Sequence, residues 1–177
     1  MRRRCSRCAK WGRRVRVAVS CAIISAAVSR RPDFIAASLA DKAEARIGDA
    51  GHFLLVPHLM LALAATERDE AAARFLAALG ELAAERESWT APAIADVVIP
   101  ICEAALAHRR GEHARVVDLL SPRQDRIRLL GGSNAQRDLF FQMLADSAMH
   151  TGRRDLVATL VPPTERAGYA TAARWLM

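Results

Sequence analysis

Glycine and aromatic residues are scarce: the 177 residues include nine glycines, and Phe, Trp and Tyr together make up 5%. Runs in which Val, Ile or Thr alternate with polar residues are missing, which removes the usual signature of a half-buried sheet. Acidic residues are absent from positions 1–31, which carry ten basic side chains. The excess of 26 basic over 19 acidic residues therefore belongs to the head, and residues 32–177, with 16 basic and all 19 acidic residues, are weakly acidic. This excludes a general polyanion-binding surface on the body, and no specific nucleic-acid partner is expected.

Cysteine is also sparse. Cys5, Cys8 and Cys21 lie in the head and Cys102 in an apolar stretch, which is no disulfide framework and suits a reducing cytosol. The Cys5-x-x-Cys8 pair has no second pair to complete a zinc site. The apolar run from Val17 to Val28 falls well short of the roughly 20 residues that cross a bilayer, so no membrane span is expected. With its basic start and the small residues Ala27 and Ser29 the head imitates a secretory signal, an alternative to a cytoplasmic location that Arg30 and Arg31 weaken. The preferred reading is a basic extension over residues 1–34, either disordered or the product of a misplaced start or shifted frame, ahead of a helical repeat domain over 35–177.

What is abundant is alanine, leucine and a helical period. Segments with one apolar face are predicted from Asp33 to Ile47, His52 to Ala65, Glu70 to Glu87, Pro92 to Arg110, Glu112 to Leu120, Asn134 to His150, Arg153 to Val161 and Glu165 to Leu176. Pro57 and Pro100 fall inside two of them, where each removes a donor and clashes with the carbonyl four residues earlier, so a kink or break is expected at both. The turns Arg68-Asp69-Glu70-Ala71, Gly111-Glu112-His113-Ala114 and Gly152-Arg153-Arg154-Asp155 can be overlaid at a nearly even spacing of about 40 residues, close to known alpha-solenoid periods. That is a weak repeat of helix pairs, longer than the roughly 34 residues of an ordinary tetratricopeptide unit, and it predicts an all-α, right-handed stack of helical hairpins with a concave face.

The most distinctive stretch is Arg126-Ile127-Arg128-Leu129-Leu130-Gly131-Gly132-Ser133-Asn134-Ala135-Gln136-Arg137-Asp138-Leu139-Phe140. It resembles the Gly-Gly-Ser-His/Asn-Ala-Gln-Arg-Asp sequence that marks the tetratricopeptide repeat protein 38 family. Gly111-Glu112-His113-Ala114-Arg115-Val116-Val117-Asp118-Leu119-Leu120 is similar to that family's preceding turn and short helix, and His58-Leu59-Met60-Leu61-Ala62-Leu63 to its His-x-Met-Ala-Leu segment. The resemblance covers roughly residues 36–165 and implies an all-α, tetratricopeptide-like superhelix, a solenoid of stacked hairpins, forming the C-terminal portion of a longer helical-repeat protein. Where the family often has an acid two residues before the histidine, Val56 stands here, which removes an Asp–His pairing for His58.

His58, Gly131, Gly132, Ser133, Asn134, Gln136, Arg137 and Asp138 are the residues from which ligand or partner contacts are expected. Local structure accounts for several. The glycines suit the left-handed end of one helix, and Ser133 with Gln136 makes a capping box at the start of the next. Arg137 is expected partly buried, bonded to a carboxylate or carbonyl of an adjacent helix; the alternative is an anion held at the helix start. His58 reads as a neutral core histidine. His108, His113 and His150 fall near helix ends and need no role beyond favouring the exposed carbonyls there. Cys102 reads as a small hydrophobe.

The expected function is a protein-interaction scaffold that holds a peptide or a helix of a protein partner, with no catalytic residue, cofactor or metal. One rival is an enzyme or small-ligand protein whose pocket joins His58 to the Gly131–Asp138 corner; another is a nonfunctional truncated family member.

Overall fold

Leucine, alanine and methionine without a competing strand pattern wind into helices, and the ends of those helices are set by a turn used three times. In the computed structural model, residues 34–48, 55–85 and 87–160 are described. The basic head with Cys5 and Cys8, the segment containing His52, and the expected last helix from Glu165 to Leu176 lie outside the described residues. Among the described residues the chain is all helical and has no strand.

Seven helices follow one another among these residues: α1 (Phe34–Glu44), α2 (Leu55–Ala65), α3 (Asp69–Ala84), α4 (Ala91–Arg109), α5 (His113–Leu120), α6 (Asn134–His150) and α7 (Arg154–Leu160). Pairs α2–α3, α4–α5 and α6–α7 are hairpins, and each closes the same way. Glu67, Gly111 and Gly152 have φ of 59°, 76° and 74°. The amide of the next residue reaches back five positions: Arg68 to the Leu63 carbonyl, Glu112 to Ala107 and Arg153 to Ala148, at 3.1, 2.9 and 2.7 Å. With the accompanying bonds from Glu67, Gly111 and Gly152 to carbonyls three positions back, these are three Schellman turns. The left-handed residue corrects the sequence overlay by one position: Glu67, not Arg68, is the counterpart of Gly111 and Gly152.

Helices α2, α4 and α6 are linked in a row, with α4 touching both of the others. Helix α3 packs on α2 and α4, α5 on α4 and α6, α1 on α2, and α7 on α6. The shared core contains the fully buried Met60, Phe75, Ile101, Leu120, Ile127 and Phe140. Covering each large apolar side chain stabilises by about 1.5–3 kcal/mol, and no hairpin could do this alone. Helix α2, buried at nearly every position from Val56 to Ala65, is apolar all round because neighbours surround it. Helix α4 is long and apolar enough to cross a membrane by length and composition, yet most of it is covered by α2, α3, α5 and α6.

The two prolines behave differently. Pro57 lies in the first turn of α2, where a missing N–H costs no helical bond, and the helix continues to Ala65 without the expected break. Pro100 follows a π turn over Ile94–Val98, in which the Ile99 amide bonds to the Ile94 carbonyl. The Asp96 carbonyl, four residues before the proline, accepts instead from Arg123 Nε at 2.9 Å, and Arg126 bonds the Asp96 carboxylate at 2.6 Å. Both arginines belong to a ten-residue 3-10 helix, Ser121–Leu130, that the periodicity did not reveal; it seals the core with Ile127 and Leu130 and leads into Gly131.

Candidate functional site

The Gly131–Asp138 corner connects the second hairpin to the third. Gly131 has φ 73° and ψ −155°, a region closed to side chains, and Gly132 follows at φ 70°. The reversal places Ser133 as the cap of α6. The Gln136 amide donates to Ser133 Oγ at 3.4 Å and the Ser133 amide to Gln136 Oε1 at 3.0 Å, which is the expected capping box. Arg137 is half-buried, but its guanidinium donates to the carbonyls of Gly131 and Gly132 at 2.8 and 2.6 Å and to Asn134 Oδ1. Its partners therefore come from its own corner rather than an adjacent helix. Gln142 Nε2 donates to Asp138 Oδ2 at 2.6 Å one turn on. The polar atoms of this motif thus hold one another.

His58 is half-buried on α2, with its ring edge-on to Phe140 at 5.3 Å and 72°. This contact ties the first hairpin to α6 through a residue adjoining the corner. The hydrogen bonds of Gln136 and Arg137 described above run within the corner and do not involve the His58 ring. Cys102 is fully buried, and burial pushes its thiol far above the ordinary range, so it packs as a hydrophobe.

A second constellation, missed in the sequence, lies along the edge formed by the hairpin turns. His108 near the end of α4, His113 at the start of α5, and Asp146 and His150 near the end of α6 come together there. His108 Nε2–H donates to Asp146 Oδ2 at 3.0 Å. His113 Nδ1 lies 3.3 Å from the hydroxyl of the fully buried Ser147. His150 stacks on His113, ring centroids 4.0 Å apart and 9° from parallel, while His108 meets His113 edge-on at 5.5 Å. His150 Nδ1–H donates to the Asp146 carbonyl at 2.9 Å. Burial, and then the neighbouring charges of His150 and His108, lower the pKa of His113 and favour its neutral ring. For Asp146 burial acts upward, but the hydrogen bond from His108 and the three imidazoles outweigh it and hold the carboxyl below its ordinary value. Spacing in sequence had no means of showing this: His108 and Asp146 are 38 residues apart and meet only because α6 packs beside α4 and α5.

No family model matches the chain, and no solved structure matches it.

Proposed function

We propose that this chain is a tetratricopeptide-like helical repeat unit, related to the tetratricopeptide repeat protein 38 family, that binds a peptide or helical segment of a protein partner. The observation that carries this reading is the threefold use of one Schellman turn at nearly even intervals, with the first helix of each hairpin joined in one row. Repeats of that kind bury their apolar faces on one another, and the row of first helices keeps a few half-buried positions through which a ligand chain is held. Half-buried His58 on α2, Glu103 on α4, and Phe141 and Gln142 on α6 belong to that row and mix apolar with hydrogen-bonding character.

The test is selection of ligands from a displayed peptide library on the full chain, followed by mapping of backbone amide shifts on titrating a selected peptide. Saturable one-to-one binding with shifts concentrated on α2, α4 and α6 supports the scaffold reading. Failure to select any reproducible sequence, or shifts confined to α3, α5 and α7, overturns it.

A further inference from the structure

Each hairpin turn on this edge is tied to the element before it by side chains. Arg68 reaches Glu44 and Asp41 of α1 at 2.5 and 2.6 Å; Arg109 and Arg110 of the second turn reach Glu67 and Asp69 of the first at 2.8 and 3.0 Å. Arg109 is largely covered and the other members are half-exposed or exposed, and the cations of these ion pairs carry no lone pair to give. At the third step the chemistry changes. Arg109 and His150 are equivalent, each two residues before the left-handed glycine of its turn, but His150 lies flat on His113 of the preceding turn where Arg109 grips a carboxylate.

We propose that His108, His113 and Asp146 form a binding site for a divalent transition-metal ion of the zinc class, joining the second hairpin to the third. Each of the three offers one ligand atom, and these atoms lie within 4.8 Å of one another, on the ends of three different helices. Two imidazoles and a carboxylate are a donor set that zinc accepts, with a water in the fourth position. Two donors about 2.0–2.1 Å from a tetrahedral zinc stand about 3.3 Å apart. His108 Nε2 and Asp146 Oδ2, at 3.0 Å, need to open only slightly; the ion takes the place of the proton between them, and His108 then carries its proton on Nδ1. His113, whose ligand nitrogen lies within 4.8 Å of the other two donors, completes the set.

The surroundings are those of a supported site. Ser147 Oγ stands against His113 Nδ1, and the His150 ring backs His113 while its Nδ1–H holds the Asp146 backbone carbonyl. Partners of this kind orient metal ligands. The cations nearest in sequence are directed elsewhere, Arg109 and Arg110 to the first turn and Arg115 toward Glu112 and Glu103.

The experiment is calorimetric titration of the full chain with zinc chloride, beside His113→Ala and Asp146→Asn, with cobalt(II) absorption of the unaltered chain as a readout that needs no variant. Asp146→Asn keeps an acceptor for His108 and so protects the fold. The expected result is a zinc site weakened by about tenfold or more in each variant, and cobalt bands of nitrogen and oxygen ligation that Cys5→Ser leaves unchanged. Absence of zinc binding, equal binding in all three proteins, or cobalt bands of thiolate type that vanish with Cys5→Ser would overturn the proposal.

Discussion

The junction between the first and second hairpins and the junction between the second and third use the same turn geometry and opposite chemistry. At the first, Arg109 and Arg110 cross to Glu67 and Asp69, whose side chains stand largely in solvent. At the second, three imidazoles and a carboxylate come together, one of the rings, His113, set against a buried serine. Exposed pairs of the first kind stabilise by at most about 1 kcal/mol, because water and salt screen them and two long side chains must be immobilised. A half-buried cluster has fewer alternatives: whatever loses its partner there loses water as well. Two hairpin turns that match in backbone are thus joined to their neighbours by side chains that should differ in how sensitive they are to pH and to substitution.

The largest effect should come from removing what both junctions share, the core. Phe140→Ala, at a fully buried ring that also meets His58, should cost about 3–5 kcal/mol in denaturant unfolding. A loss below about 1 kcal/mol would mean that α6 is not docked on the first two hairpins. Next, with a chelator present, Asp146→Ala should cost about 1–3 kcal/mol by leaving His108 without its acceptor, whereas Arg110→Ala should cost less than about 0.5 kcal/mol. Equal losses would erase the distinction between the junctions.

Acid should act on the second junction first. The folded-state pKa of His113 is depressed from 6.5, so the stability linked to its neutral form is present above that value and lost as pH falls below it. Asp146 is depressed too, so its contribution is kept above its ordinary 3.8 and disappears only in stronger acid. In chelator, His113→Asn should flatten the fall in melting temperature between about pH 7 and pH 5. An unchanged slope would show that His113 is not the group that titrates. The smallest effect sharpens the turn equivalence: Glu67→Gly should stabilise by up to about 0.5 kcal/mol, since Glu67 alone of the three left-handed residues carries a side chain, and loss of its ion pair with the largely covered Arg109 offsets part of the gain. Destabilisation measured by melting would contradict that assignment.

Local patterns were legible wherever the determinant is short. The capping box at Ser133 and Gln136 involves atoms three residues apart, so the motif predicts the corner directly. Gly111 and Gly152 announce their turns because only glycine adopts positive φ without cost, while Glu67 hides the first turn and displaces the overlay by one position. The 3-10 helix was not legible. Its sequence alternates irregularly between charge and leucine, and Arg123 and Arg126 anchor it to a π turn that precedes Pro100, well beyond the reach of any local pattern. Pro57 misled for the opposite reason: its position relative to the start of α2, not its presence, decides whether the helix bends.

Composition and period alone determined that this chain is helical, where its apolar faces lie, and that its helices come in pairs. Those properties follow from hydrogen bonds and side-chain spacing within a turn or two. Which side chains meet across hairpins was decided only by the tertiary structure. Packing brings His108, His113, Asp146 and His150 onto one edge from three separate helices. Long-range proximity depends on how helices cross and how far each is rotated, which no local rule encodes.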